Sequence, residues 1–139
     1  MQLLEVLISE GSINIESQEW QRVIKQLHIQ LPVDVDKFDY YKCYACKFAL
    51  KGNRNTVKIS ERPGYFVSAK QGILVICPST TDLPITIFID KKTIRVVEHE
   101  SKLLKAEVNV KTNDDTFAFR SGKKQVAEIE KEVNKVRLG

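Results

Sequence analysis

Cys43 and Cys46 stand inside the stretch KCYACKFALKGNRNTVKIS, together with Lys42, Lys47, Lys51, Arg54 and Lys58. The C-x-x-C spacing lets two thiolates share one tetrahedral zinc ion, but a structural site needs two further ligands. Only Cys77, His28 and His99 remain as sulfur or imidazole donors, and there is no second C-x-x-C or H-x-x-x-H pair. Redox pairs of the thioredoxin kind sit at a helix N-terminus that lowers the thiol pKa, whereas this pair lies in an aromatic, strand-like context. The cysteines are therefore expected to be packing residues, and neither metal nor cofactor is expected.

The cations offer a different chemistry. Residues 1–39 hold three Lys/Arg against seven Asp/Glu, residues 40–72 hold seven against one, and residues 73–139 hold twelve against ten. Nearly all of the net charge of +4 thus comes from the middle segment, where only Glu61 opposes the basic residues and Tyr40, Tyr41 and Tyr44 stand among them. Cations interleaved with aromatic rings suit phosphate contacts backed by stacking. The expected nucleic-acid-binding residues are Lys42, Tyr44, Lys47, Lys51, Arg54, Lys58 and Arg62. The competing reading is a solvated charged face that serves only solubility.

Catalytic patterns are missing. The chain has no G-x-S-x-G, H-E-x-x-H or P-loop motif, and its two histidines lie far apart. Glu98, His99 and Glu100 are adjacent on an expected strand, so their side chains alternate between faces and share an ion poorly. No enzyme is expected. The apolar runs fall well short of the roughly 20 residues of a membrane-spanning helix. The N-terminal stretch carries Glu5 and Glu10 where a secretory leader would be apolar. A cytoplasmic protein with free thiols and no membrane partner is expected.

These residues must be positioned by elements that the hydrophobic pattern outlines. LLEVLIS is a strand or a short buried helix. IESQEWQRVIKQLHIQLP has Trp20, Val23, Ile24, Leu27 and Leu31 at helical spacing, Ser17 as N-cap and Pro32 as stop. Residues 55–100 are rich in β-branched side chains and broken at Pro63-Gly64, Gln71-Gly72, Pro78 and Pro84, which predicts several short strands. Ala106, Val108 and Val110 alternate before TNDD, and Phe117 and Phe119 after it, which predicts a hairpin. Val126, Ile129, Val133 and Val136 then form the stripe of a terminal helix, with Ser121 as its expected cap. The fold class is α+β: a curved antiparallel sheet or partly open barrel between an N-terminal helix and a C-terminal capping helix. A single domain is expected over residues 1–139, with an acidic helical segment at 1–39 and the sheet and last helix at 40–139.

Two family likenesses overlay this reading. CKFALKGNRNTVKIS, GILVICPSTTDLPITIFIDKKTIRVV and TFAFRSGK resemble the middle of the competence transcription factor (ComK) family. The correspondence runs through Cys46 with Gly52 and Arg54, Pro78 with Ser79 and Thr80, Phe88-Ile89 with Ile94, and Phe119 with Gly122. That likeness implies a cytosolic DNA-binding regulator of transcription. The tail, residues 94–136, is similar to the last strands and capping helix of bacterial pleckstrin-homology-like domains, which implies a peptide- or lipid-facing module. Both likenesses agree on a binding protein. The basic middle segment, supported by the competence-factor likeness, leads to the expectation of a non-enzymatic regulatory protein whose partner is nucleic acid, DNA in the first instance. The alternative is a protein-interaction adaptor, acting through the acidic N-terminal segment or an exposed sheet edge, with a protein partner or a second copy of the chain.

Overall fold

The structure, a computed structural model, describes residues 1–52 and 58–139. The chain opens with two helices, α1 (Leu3–Ser9) and α2 (Gln18–Gln30), followed by a 3-10 turn at Val35–Lys37. Seven strands follow: β1 (Tyr40–Gly52), β2 (Ile59–Ala69), β3 (Gly72–Cys77), β4 (Ile85–Asp90), β5 (Val96–Ser101), β6 (Lys105–Lys111) and β7 (Asp115–Gly122). Helix α3 (Lys123–Leu138) closes the described chain.

LLEVLIS is thus a helix. Leu3, Val6 and Leu7 are its buried residues, an i, i+3, i+4 set that only helical geometry puts on one side. Ser17 caps α2 by accepting a hydrogen bond from the Trp20 amide, and α2 ends two residues before Pro32. The cap of α3 differs from expectation. Gly122, not Ser121, is its N-cap, and it makes no side-chain cap bond. A Cβ placed on Gly122 meets nothing within 4 Å, and the backbone there is extended, with φ −60° and ψ 155°. Gly122→Ser should therefore add a cap at no steric cost, raising stability by a few tenths of a kcal/mol. A thermal melt showing a lower Tm for this variant would contradict it.

Pro63-Gly64 does not break a strand, since β2 runs straight through it. Pro63 pairs with Lys47 on β1, while the β2–β3 ladder begins only at Tyr65 and Ile76. The missing proline N–H therefore faces a side where β3 has ended, in effect an edge position. Gly64 is needed for close approach: an added Cβ would lie 2.8 Å from Cys77 Sγ and 3.2 Å from the Ile76 carbonyl oxygen.

All strand pairs are antiparallel, and the sheet is open, in the order β4-β3-β2-β1-β7-β6-β5. The first half of β1 pairs only with β2, and its second half also takes β7, so one long strand joins the two halves. Strand alternation gives the sheet two apolar faces. Phe48, Phe66, Val75, Val108 and Phe119 pack with Val126, Ile129 and Val133 of α3 on one side. Cys43, Val67, Leu74 and Ile76 pack with α1 and α2 on the other. The second core takes no residue from β5, β6 or β7, so α1 and α2 leave the outer face of those strands and of the end of β1 without a helical cover. Among the described residues no helix is long and apolar enough to cross a membrane.

Candidate interaction surface

On that uncovered face, alternation brings Lys51 of β1, Arg120 of β7 and Glu107 and Asn109 of β6 together, and Glu61 of β2 joins them. Glu107 is only 5% exposed. Lys51 Nζ donates to Glu107 Oε2 at 2.9 Å and to Asn109 Oδ1 at 3.2 Å, and Asn109 Nδ2 donates to the same carboxylate at 3.1 Å. Arg120 spans Glu107 Oε1 at 3.4 Å and Glu61 Oε2 at 2.9 Å. Burial alone would raise the Glu107 pKa, but the hydrogen bonds from Lys51 and Asn109 and the two positive charges outweigh it and hold the carboxyl below its ordinary range. The cluster is satisfied internally, which makes it a clasp between strands rather than a docking site.

The expected nucleic-acid residues do not gather on one face. Lys42 pairs with Glu10, just past the end of α1, at 3.3 Å. Tyr44 packs against the α3-side core. Lys47 and Lys51 point to the opposite side, and Lys51 is spent on Glu107. Arg62 stands opposite Phe48 in the β1–β2 ladder, which puts it on the α3 side, and Lys58 is exposed just ahead of β2. Arg54 lies outside the described residues. The physical reason for the scatter is the strand itself: neighbouring side chains on a strand alternate between faces, so a run of cations along β1 is divided in two.

The three cysteines are wholly or partly buried, and both histidines have carboxylate partners. Burial pushes the thiols of Cys43 and Cys46 up to about 12 and that of Cys77 up to about 11, where little thiolate forms near neutral pH. His28 bonds Asp36 at 2.7 Å and His99 bonds Glu130 of α3 at 2.9 Å. The hydrogen bond to Asp36 raises the His28 pKa.

Beside the clasp lies β5, which among the described residues is an edge strand paired only with β6. The Lys102 amide bonds the Lys105 carbonyl at 2.8 Å, closing the β5–β6 hairpin. In an antiparallel ladder this pairing alternates, so the backbone groups of Val97, His99 and Ser101 face outward from the sheet. Glu98 and Glu100 flank them on the uncovered face, with Glu98 held by Lys111 at 2.9 Å. Sequence reasoning named a sheet edge in general terms but did not single out β5. The signal was the acidic pair in VVEHES, whose meaning depends on which strand ends the sheet. No known protein family matches this chain, and no curated protein is significantly similar to it.

Proposed function

We propose that this protein is a non-catalytic protein-interaction module of pleckstrin-homology-like architecture that takes an extended segment of a partner onto β5. The observation that carries the reading is the edge of β5, which pairs with no strand but β6 among the described residues, with α3 on one side of it and Glu98 and Glu100 on the other. A partner strand would satisfy the outward amides and carbonyls of Val97, His99 and Ser101. Basic residues at alternate positions of that strand would meet Glu98 and Glu100. A second copy of β5 suits the edge poorly, since a two-fold pairing centred on His99 sets Glu98 against Glu100. The architecture is supported by the strand order, in which one long β1 serves both halves around a C-terminal helix.

The test is selection of peptides from a displayed random library, followed by His99→Pro. Proline at this outward position removes an edge donor without touching the β5–β6 ladder. His99→Pro should weaken captured peptides at least tenfold, while His99→Ala, which loses only the imidazole, should not. Peptides indifferent to His99→Pro would overturn the reading.

Nucleic-acid binding is the second reading, favoured by Lys47, Lys58 and Arg62, which have no carboxylate within ion-pair distance among the described residues. Gel-shift titrations at two ionic strengths test it. A steep salt dependence that disappears on charge reversal of these three residues would establish it over the first.

A further inference from the structure

The tip of the β5–β6 hairpin carries two adjacent leucines where turn chemistry calls for glycine, asparagine or aspartate. Leu103 is 89% exposed and Leu104 81%, and lysines stand on both sides of them, at 102 and 105. Neither leucine has a positive φ, so the turn is not of the primed kind that matches strand twist best. Two large apolar side chains at one apex are unlike the single exposed leucines that any surface carries.

The register gathers more positive charge at the same end. Lys105 pairs with Gly122, which leads directly into Lys123 and Lys124 in the first turn of α3. Lys47 sits opposite Arg120 on the adjoining strand. A depression of about 350 Å³ lies between, bounded by Lys47, Lys105 and Gly122. Lys47, Lys102, Lys105, Lys123 and Lys124 are all exposed, and none is ion-paired among the described residues, whereas Lys42, Lys51, Lys111 and Arg120 all are. The acids nearest along the chain are Glu100, Glu107 and Glu128, and Glu107 is already held by Lys51 and Arg120.

Lysines at the start of a helix oppose its dipole, and this helix has neither an acidic residue in its first turn nor a side-chain cap. Local stability therefore argues against the arrangement. A negatively charged partner compensates it.

We propose that this end of the molecule docks on an anionic membrane surface, with Leu103 and Leu104 entering the headgroup–acyl boundary and the five lysines facing the phosphates. Charge complementarity selects a negatively charged partner, and the paired leucines select a bilayer over a nucleic acid, which offers no apolar layer for them to enter. The expectation of no membrane partner was drawn from the lack of a spanning helix, and peripheral docking needs none. The inference does not depend on the β5 reading, because the leucines project from the turn and not from the strand edge.

Co-sedimentation of the full chain with phosphatidylserine/phosphatidylcholine vesicles tests it, beside pure phosphatidylcholine vesicles and duplex DNA. Binding to the anionic vesicles should fall at least tenfold in Leu103→Ser/Leu104→Ser and at least tenfold in Lys123→Gln/Lys124→Gln. Circular dichroism should show both variants folded, since all four side chains are exposed. Failure to bind anionic vesicles at low salt would overturn the proposal. So would binding that ignores the leucine substitutions, or duplex binding that exceeds vesicle binding and depends only on the lysines. The β5 variant His99→Pro should leave vesicle binding unchanged, which keeps the two proposals separable.

Discussion

Replacing Phe119 with alanine should lower the unfolding free energy by about 3–5 kcal/mol, the range for deleting a fully buried ring. Phe119 is completely buried, with its ring 5.5 Å from that of Phe48 and 5.2 Å, edge-on, from that of Phe66. Those three rings come from β7, β1 and β2, so they tie the two halves of the sheet together beneath α3. The cavity left by truncation cannot collapse easily, because a ladder of hydrogen bonds holds each wall. Urea denaturation should show the loss directly, and Tm should fall by on the order of 10 °C. Leu104→Ala, at an exposed turn, should change stability by less than about 0.5 kcal/mol. Near-equal effects of the two substitutions would refute the packing described for β7.

Lys51→Glu should be the second most damaging change, and its effect should depend on pH in a direction opposite to that of the parent protein. In the parent, Glu107 has a folded pKa below its ordinary value of 4.5. Its contribution to stability is therefore fully present above pH 4.5 and is lost as pH falls through the lowered folded value. Lys51→Glu sets a second carboxylate where the ammonium stood, 2.9 Å from Glu107. Like charges that close raise the folded pKa of the pair, so the variant gains protons on folding. Its deficit should be largest above neutral pH, about 2 kcal/mol once the half-exposure of Lys51 is allowed for. The deficit should shrink as pH falls toward 5. Denaturation curves at pH 5 and pH 8 check this, and a deficit that grows on acidification would rule out the clasp. The result bears on function too. Charge reversal at Lys51 probes the fold before it probes any ligand, so tests of polyanion binding belong at Lys47, Lys58 and Arg62.

Much of the fold can be read along the chain. Helix α2 shows itself by Trp20, Val23 and Leu27 with Ser17 in front, and α3 by Val126, Ile129 and Val133, because helical periodicity is a property of neighbours in sequence. The β6–β7 hairpin is legible for the same reason, with Val108 and Val110 alternating on one side of TNDD and Phe117 and Phe119 on the other. Helix α1 is not, since seven residues with dense apolar content satisfy either period, and only its contact with β1 decides between them. Pro63-Gly64 misleads for a related reason. A proline breaks a strand that has neighbours on both sides, and whether β3 still runs alongside at that point is a matter of register.

The candidate site was hidden further. Seven cations between residues 40 and 72 read as one patch, yet Lys42 answers Glu10, Lys51 answers Glu107, and Tyr44 and Lys47 turn to opposite sides of one strand. The lysines without an ion-pair partner among the described residues, from Lys47 to Lys124, come from segments that are each unremarkable when read alone.

The order of amino acids by itself determined α2, α3, the β6–β7 hairpin, the α+β class and the absence of a long apolar helix among the described residues, all of which depend on residues a few places apart. Which strand lies at the edge, which carboxylate meets which ammonium, and which charges stay free were decided only by the tertiary structure. Those are contacts between residues tens of positions apart, 56 in the case of Lys51 and Glu107. Coulomb and hydrogen-bond energies act through space, so no local pattern of residue types encodes them.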